Sequence, residues 1–277
     1  NFSILNHTLE QYLGYVNDTE NPVEPSYIEI EALAHSLINN HTGYIQLNSE
    51  LPSIIDYRNI NNNNYVTSVK YQSSCGACVS FAALAVLETQ YMLEGYELDL
   101  SEKDLFFCKG QRTCAEGWYL YDANIVLKNN EICEEKYCPY FENMYKCTSS
   151  CLEENIYTIE NFYYLDTLKK IKDWLNYNGT LLTRMNAYKD FFEYDSGIYV
   201  KHSNQFIGGH AVAVIGYNDI DNYWICKNSW GRSWGEDGFF RIQYGEAGIM
   251  PFAYGYTISS DVQRPSNSAY ILQPTLI

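Results

Sequence analysis

Apolar residues follow two patterns along the chain, a helical one at first and an alternating one in the last third. In SYIEIEALAHSLINN, apolar residues return at helical spacing, and Ser26 with Glu29 forms a capping box, which predicts a helix. The run GACVSFAALAVLETQYML has no helix breaker and predicts a helix with Cys78 at its N-terminus. TLKKIKDWLNYNG predicts a further amphipathic helix that ends at Gly179.

The last third of the sequence consists of short strand-like runs separated by Gly and Asp or Asn turns. These runs are TLLTRMNAY, HAVAVIGYN, NYWICKNSW, GFFRIQYG and FAYGYTIS. Helices followed by strands, without βαβ alternation, indicate an α+β protein of two lobes. We expect a helix-rich lobe over about residues 60–165 and a strand-rich lobe over about 166–260.

Two terminal segments lie outside this two-lobed region. Residues 1–50 form an extension whose first part is polar and interrupted by Pro22 and Pro25. The tail at 261–277, DVQRPSNSAYILQPTLI, follows the final predicted strand and has no assigned role.

The charge of the chain excludes some partners. Its 34 acidic and 18 basic residues give a formal net charge of −16, so the basic footprint of a nucleic-acid-binding protein is absent. No apolar run reaches the length of about 18 to 20 residues that spans a bilayer. The negative charge fits ordinary solubility, and it also fits work at low pH, where carboxylates are protonated.

Cysteines and glycosylation sequons point to an oxidising compartment. Eight of the nine cysteines lie between residues 75 and 151, a density typical of disulfide-bonded proteins. The start NFSILNHTLEQY lacks the features of a signal peptide and predicts a processed N-terminus. We expect a secreted or extracellular protein, or one in a lysosome-like acidic compartment. The N-x-S/T sequons begin at Asn1, Asn6, Asn17, Asn40 and Asn178.

Three residues have the chemistry of a thiol-based catalytic site. Cys78 at a helix N-terminus is placed where the helix dipole favours a thiolate. His210 opens an alternating strand directly after a glycine pair, and Asn228 lies in the loop after the next strand. A zinc or redox role for Cys75 and Cys78 is disfavoured, because no strand precedes them and no second ligand pair has zinc spacing. No metal or cofactor is expected.

Three segments in the same order resemble the papain family of cysteine peptidases, whose members include the cathepsins. These segments are QSSCGACVSF, GGHAVAVIGY and YWICKNSWGRSWGEDGFFRI, and DYR at 56–58 is similar to the start of the family's mature enzymes. The resemblance covers roughly residues 51–260. It implies a papain-like two-lobed fold, with a β-barrel-like antiparallel second lobe and the active site in the cleft between the lobes.

The resemblance also implies roles for five side chains. Cys78 would be the nucleophile, and His210 its ion-pair partner and later the general acid. Asn228 would orient the imidazole, and Trp230 would cover that hydrogen bond. Gln72 would donate its side-chain amide to the oxyanion, alongside the backbone N–H of Cys78.

The substrate-binding side departs from the family in two places. Val79 stands where the family usually has an aromatic residue, and Glu116 replaces one glycine of the pair that binds the substrate backbone. Gly117 would still offer its backbone to substrate. Trp118, with Gly209 beside it, would line the pocket for the second residue before the cut, against the alternative that Trp118 only packs in the core.

The resemblance assigns some of the cysteines. It implies a bridge between Cys75 and Cys114, and it pairs Cys108 with either Cys147 or Cys151. Cys226 is expected to be a buried thiol. Without Cys78 and Cys226, seven cysteines are left, an odd number. One of Cys133, Cys138, Cys147 and Cys151 is therefore expected to be unpaired or to bridge two chains.

The expected function is that of a cysteine endopeptidase, which hydrolyses protein or peptide substrates through a thioester acyl-enzyme. Residues 1–50 would be a short inhibitory prosegment, which would make the chain a zymogen; the alternative is a glycosylated extension that never enters the cleft. Exopeptidase activity is a further alternative. A different class is a structural or assembly protein on the same fold, forming homo-oligomers through the tail or the odd cysteine.

Overall fold

The computed structural model describes residues 27–39, 51–141, 146–147 and 156–259. The four α-helices among them confirm the three predicted helices and add one more. Their bounds are α1 Tyr27–Asn39, α2 Cys78–Leu93, α3 Leu120–Asn129 and α4 Leu168–Tyr177. A π-helix covers Asp104–Lys109, and 3-10 turns cover Lys189–Glu193 and Glu246–Gly248. No helix in the described part of the chain is long and apolar enough to cross a bilayer.

Ten strands are described, and the five predicted runs of the last third all contain one. Their bounds are β1 Ile54–Asp56, β2 Ile132–Cys133, β3 Ile156–Tyr157, β4 Asn161–Leu165, β5 Leu181–Tyr188, β6 Ile198–Tyr199, β7 Phe206–Asn218, β8 Tyr223–Lys227, β9 Phe239–Gln243 and β10 Ala253–Thr257.

Eight of these strands form one sheet around the long strand β7. The order is β4-β10-β5-β7-β8-β9-β6, with β1 also paired to β7. The pairing is antiparallel except between β6 and β9, which run parallel. The two-lobed α+β arrangement is therefore present, with a sheet-rich second lobe that contains one parallel pair.

The lobe boundary differs from the prediction. Residues 161–165 lie within the predicted helical lobe, but they form β4 and pair with β10, so they belong to the sheet. Near the start, Ile55, Tyr57 and Val66 pack in the core of the sheet lobe. The chain therefore begins its peptidase region in the sheet lobe, crosses to the helical lobe and returns before residue 161.

Helix α2 is the centre of the helical lobe. Its residues from Cys78 to Tyr91 are all buried, as expected for a core helix that is apolar on every side. It packs against β7 of the sheet lobe and against α3. This helix therefore carries its first residue, Cys78, to the interface between the lobes.

Disulfides fix the loops of the helical lobe. Cys75 is bonded to Cys114, the pairing that the resemblance implied. Cys108 is bonded to Cys147, so the alternative pairing of Cys108 with Cys151 is wrong. Cys133 is also disulfide-bonded. Cys138 and Cys226 remain as buried thiols.

Helix α1, from the N-terminal extension, docks on the sheet lobe. Ile30 and Ala34 are buried, and the helix packs on the turn Glu246–Gly248. A side chain at Gly248 would meet Ile30, since an added Cβ there would lie 2.4 Å from the Ile30 Cγ2 atom. The extension therefore contributes a packed element to the described structure.

Candidate active site

Cys78 occupies the first position of α2. The residue before it, Ala77, makes no side-chain cap to the first turn of the helix. The approach to the helix is held by the bridge between Cys75 and Cys114 and by the Gly76 N–H, which donates to the Cys114 carbonyl at 3.0 Å. The segment that leads into Cys78 is thus held in place by a disulfide and a hydrogen bond.

His210 and Asn228 form a hydrogen-bonded pair with a fixed orientation. The His210 Nε2 atom lies 2.8 Å from the Asn228 Oδ1 atom. The Ser229 N–H also donates to that oxygen at 2.8 Å, which fixes the amide so that its oxygen faces both donors. Because an amide oxygen only accepts, Nε2 carries the proton. Nδ1 is then the ring nitrogen that can take a proton from a thiol.

The thiol of Cys78 lies against strand β7, next to the position of His210. The Ala211 N–H donates to the Cys78 sulfur at 3.4 Å, so the sulfur lies beside the residue that follows His210. Among the described residues, the His210 Nδ1 atom is buried without a hydrogen-bond partner. A basic nitrogen in this state is a candidate proton acceptor.

Both groups are shielded from solvent. Cys78 and His210 are 0% exposed, and Asn228 is 3% exposed. Burial lowers the pKa of His210 to about 4, although the hydrogen bond from the ring to Asn228 acts in the opposite direction. In this closed form the imidazole is therefore neutral near pH 7. It becomes charged there only by taking the proton of a nearby acid such as the thiol.

Aromatic rings enclose the pair of His210 and Asn228. The ring of Trp230 lies 4.8 Å from the ring of His210, and Trp230 is 1% exposed. Phe192 stacks on Trp230 at 4.8 Å, and Phe191 packs on its edge at 5.4 Å. This cover excludes water from the hydrogen bond, as the resemblance implied for Trp230.

Gln72 is held in the same loop system as Asn228. The Gln72 side-chain amide donates to the Cys75 carbonyl at 2.8 Å, and the Ser229 hydroxyl donates to the Gln72 Oε1 atom at 2.5 Å. Between the backbones, the Gln72 N–H donates to the Ser229 carbonyl at 2.8 Å. These bonds orient the Gln72 amide so that its NH2 group faces the turn leading to Cys78.

Two residues that hold Gln72 were missed from the sequence. Ser229 fixes the Gln72 amide, and the Tyr140 hydroxyl donates to the Gln72 carbonyl at 2.9 Å. Ser229 lies inside the quoted KNSW motif, but the motif gives no sign that its hydroxyl acts on a residue 157 positions away. Tyr140 lies in an irregular loop, where no pattern singles out one tyrosine among 27.

The predicted substrate-binding residues lie in three different settings. Gly117 has a φ of 63°, a conformation that favours glycine, and Glu116 accepts hydrogen bonds from the Thr113 N–H and hydroxyl, which tie the loop together. Trp118 is 1% exposed and packs on Phe106, so its described contacts are those of a core residue. Gly209 is buried in β7 opposite Asn186. Contact with substrate stays a prediction for Gly117, Trp118, Gly209 and Trp230.

A buried charged network lies behind the site, between the lobes. The Lys70 ammonium contacts Asp99 at 2.6 Å, Glu102 at 2.9 Å and Glu88 at 3.4 Å. Lys227 donates to the Thr67 hydroxyl at 2.8 Å, and Thr67 in turn donates to Glu88. This network was also missed, because its members are spread over 160 positions and lie in segments without a common pattern.

Of the glycosylation sequons, only the one at Asn178 lies in the described residues. Asn178 is exposed and forms the C-terminal cap of α4, where its N–H donates to the Trp174 carbonyl. Asn1, Asn6, Asn17 and Asn40 lie outside the described residues, as do the tail at 261–277 and Cys151. Glycosylation stays a prediction.

Curated relatives share sequence with the chain. A family model described as papain family cysteine protease matches residues 51–257. Fruit bromelain of Ananas comosus is 30% identical over 201 residues, which cover 71% of this chain and 56% of bromelain. A viral cathepsin of Autographa californica nuclear polyhedrosis virus is 34% identical over 197 residues, covering 69% of this chain and 59% of the cathepsin. The chain spans less than two thirds of the length of these two relatives.

Solved structures agree with this likeness. A digestive procathepsin L2 proteinase from Tenebrio molitor larval midgut has a TM-score of 0.65 and 28% identity, over 75% of this chain and 68% of that one. The bromelain protease of Ananas comosus in complex with the E64 inhibitor also has a TM-score of 0.65 and 28% identity, over 76% of this chain and all of its own. Together with the match over residues 51–257, they show that the chain belongs to the papain family of cysteine proteases.

Proposed function

We propose that the chain is a cysteine endopeptidase. Cys78 loses its proton to the Nδ1 atom of His210 and attacks the substrate carbonyl. The resulting imidazolium protonates the leaving amine, which leaves a thioester that water hydrolyses. The observation that carries this proposal is the fixed tautomer of His210, whose Nε2 proton is held by Asn228 while its strand neighbour Ala211 contacts the Cys78 sulfur.

Gln72 and the helix N-terminus are proposed to stabilise the oxyanion. The charge that develops on the carbonyl oxygen needs donors that are already oriented. Two hydrogen bonds hold Gln72 in the loop system of the site: its N–H donates to the Ser229 carbonyl, and the Ser229 hydroxyl donates to its side-chain oxygen. The N–H of Cys78 would be the second donor. Loss of one such donor typically lowers kcat by about 10²- to 10³-fold.

The N-terminal extension is proposed to keep the enzyme inactive. Helix α1 docks through the buried Ile30 and Ala34 and through an ion pair of Glu31 with Lys201 at 3.2 Å. The Tyr188 hydroxyl also donates to Glu31. The complete shielding of Cys78 and His210 agrees with a closed precursor, and the similar structure from Tenebrio molitor is titled a procathepsin.

The proposed setting is secreted or lysosome-like. Disulfides at Cys75, Cys108 and Cys133 require an oxidising compartment during folding. The similar procathepsin from Tenebrio molitor is described as digestive and from larval midgut. Proteins or peptides would be the substrates.

Labelling by E-64, the inhibitor bound in the similar bromelain structure, tests the activity and the precursor together. The full chain and a chain trimmed of residues 1–50 would each be compared with the same protein carrying Cys78→Ala. We expect labelling of the trimmed protein, little labelling of the full chain, and none with Cys78→Ala. Cys226→Ser is the matched control, since Cys226 is also a fully buried thiol, and it should leave labelling unchanged. No labelling of the trimmed protein would leave the fold with an assembly role instead.

A long internally quenched peptide distinguishes endopeptidase from exopeptidase action. Cleavage at internal bonds, read by mass spectrometry of the products, is the expected outcome for the trimmed enzyme. Release of single residues or dipeptides from one end only would show that a loop that remains in the trimmed enzyme blocks the cleft at that end.

A further inference from the structure

A second cluster of reactive groups lies in the helical lobe, on the π-helix Asp104–Lys109 and the loop beside it. The sulfurs of Cys108 and Cys138 and a carboxylate oxygen of Asp104 all lie within 4.8 Å of one another. Asp104 and Cys108 are four residues apart, which places them on the same side of the helix. Short π-helical segments occur frequently at functional sites.

Hydrogen bonds hold the loop that carries Cys138 onto this helix. The Ser101 hydroxyl donates to the Cys138 carbonyl at 2.5 Å and accepts from the Asp104 N–H at 3.0 Å. The Cys133 N–H donates to the Asp104 Oδ2 atom at 3.2 Å, and the Ser101 N–H donates to the Cys133 carbonyl at 2.9 Å. The position of Cys138 relative to Cys108 is therefore set by the fold.

Asp104 offers a proton acceptor to this cluster. The residue is 1% exposed, and its Oδ1 atom is buried without a hydrogen-bond partner among the described residues. Burial raises the pKa of Asp104, as expected for a carboxylate that is poorly solvated and therefore a better base than usual. A buried oxygen without a hydrogen bond costs free energy, so its presence in a folded protein calls for an explanation such as a chemical role.

The disulfide in the cluster joins a half-buried cysteine to an exposed one. Cys108 is half-buried and is bonded to Cys147, which is exposed. Cys138 is a buried thiol at 1% exposure and has no disulfide partner. A thiolate beside a disulfide attacks one of its sulfurs and releases the other without any added oxidant or reductant.

We propose that Cys138 is an exchanging thiol that attacks Cys108 in its bond with Cys147. Asp104 accepts the Cys138 proton, the sulfur of Cys138 forms a bond with the sulfur of Cys108, and the bond between Cys108 and Cys147 breaks. The electron pair of the broken bond stays on Cys147, which leaves as a thiolate. One disulfide and one thiol are present before and after the step, so the exchange is balanced.

The consequence is a site for modification at the surface. The exchange moves the unpaired thiol from a buried position to Cys147, where a small-molecule disulfide or an alkylating reagent can reach it. It also releases the segment that ends at Cys147 from its covalent tie to the π-helix. Before the exchange the unpaired thiol is Cys138, which is buried. After the exchange it is Cys147, which is exposed and can react with a partner molecule.

Alkylation of the native full chain tests the exchange. The protein would carry Cys78→Ala to prevent self-digestion, and N-ethylmaleimide would be added at about pH 8.5, near the thiol range, without reductant. Peptide mapping without reduction would then locate the label and the disulfides. We expect label on Cys147 together with a bond between Cys108 and Cys138. Cys226, which is fully buried outside the cluster, is the internal control for unfolding and should be labelled at least about tenfold more slowly.

Two variants decide the mechanism. Cys138→Ser should abolish label on Cys147 while the bond between Cys108 and Cys147 stays in the peptide map. Asp104→Asn keeps every cysteine and should slow label on Cys147 by about tenfold or more, because the proton acceptor is lost. The proposal is overturned if Cys138 itself takes the label while the original bond stays intact. It is also overturned if Cys147 reacts equally fast with Cys138→Ser, or no faster than Cys226.

Discussion

At the scale of single residues, the amide of Asn228 decides which nitrogen of His210 can react. Two donors, the His210 Nε2–H and the Ser229 N–H, converge on the same amide oxygen at 2.8 Å each. A ring held this way exposes Nδ1 as the acceptor for the thiol proton, and the ring of Trp230 prevents water from competing for the bond. In the proposed mechanism, Asn228 therefore acts through His210, as a positioning residue.

Asn228→Ala should lower kcat/KM of the trimmed enzyme by about 10²-fold, because the imidazole loses both its tautomer and its orientation. A fluorogenic peptide measures this loss, and the pH dependence of Cys78 alkylation should change with it. Asn129→Ala is a matched control, since that exposed amide bonds only a carbonyl of its own helix among its described contacts. A variant with unchanged pH dependence would indicate that Asn228 only supports the fold.

Gln72→Ala should lower kcat by about 10²- to 10³-fold with little change in KM, the expected result of losing an oxyanion donor. Ser229→Ala should give a smaller loss of the same kind, because the Gln72 amide stays but is no longer fixed by the Ser229 hydroxyl. Steady-state kinetics of the trimmed enzyme measure both. An increase in KM alone would assign Gln72 to substrate binding instead of oxyanion stabilisation.

The residues of the proposed catalytic set were predictable from the sequence, but the residues that support them were not. Cys78, His210 and Asn228 each lie in a motif whose order along the chain is informative. Ser229 and Tyr140 act on Gln72 only because the fold brings distant loops together. Hydroxyl partners of this kind leave no spacing pattern in a sequence, so only the folded structure reveals them.

At the scale of secondary-structure elements, the docking of α1 connects the extension to the enzyme. Glu31 lies at the centre of this contact, paired with Lys201 and with the Tyr188 hydroxyl. Burial raises the pKa of Glu31, but the hydrogen bonds from Tyr188 and Lys201 together with the charge of Lys201 lower it by more. The net pKa therefore lies below the ordinary value of 4.5. A carboxyl with a lowered pKa stabilises docking above pH 4.5 and loses that effect as pH falls through the lowered value.

Acid should therefore release α1, and Glu31→Gln should imitate the acid form. We expect E-64 labelling of the full chain, divided by that of the trimmed chain at the same pH, to rise as pH falls below about 4.5. With Glu31→Gln the ratio should already be higher at pH 6 and should depend less on pH. Glu160→Gln, at an exposed carboxyl outside this contact, is the control. An identical pH profile for Glu31→Gln would exclude Glu31 as the acid-sensitive contact.

Elements were predicted better than the contacts between them. The α1 helix follows from apolar spacing, and Ile30 and Ala34 lie on its buried side as expected. Its ion pair joins residues 170 positions apart, which no local pattern indicates. The predicted boundary between the lobes is wrong at β4 for a similar reason. Strand β4 lies before that boundary, but its pairing with β10 places it in the sheet lobe.

At the scale of the whole molecule, the two lobes meet over charges as well as apolar surface. Lys70 lies among Glu88, Asp99 and Glu102, and Lys227 reaches the same group through Thr67. Acidic groups outnumber the two lysines here, as they do in the chain of net charge −16. Burial raises the pKa of Glu102 to about 8 and that of the neighbouring Glu135 to about 7. Burial therefore favours a proton on each of these two carboxyls at neutral pH, while the charge of Lys70 acts in the opposite direction.

These protons make the stability of the whole molecule depend on pH. A carboxyl whose pKa rises from 4.5 to about 8 on folding keeps its proton in the native state and loses it in the unfolded state between those values. The native state then binds more protons than the unfolded state, so the free energy of unfolding falls as pH rises through this window. Each such proton contributes a slope of order 1 kcal/mol per pH unit.

Glu102→Gln should remove this slope, because the amide keeps the shape of the protonated carboxyl but cannot ionise. In a background of Cys78→Ala with disulfides intact, urea unfolding at pH 6, 7 and 8 should show falling stability for the parent and a flatter profile for the variant. The variant should already be more stable than the parent at pH 6, and this difference should grow towards pH 8, whereas Glu160→Gln should follow the parent throughout. If Glu102→Gln instead destabilised the protein equally at every pH, Glu102 would be ionised and paired with Lys70, and the lobes would be joined by a salt bridge instead of a protonated acid.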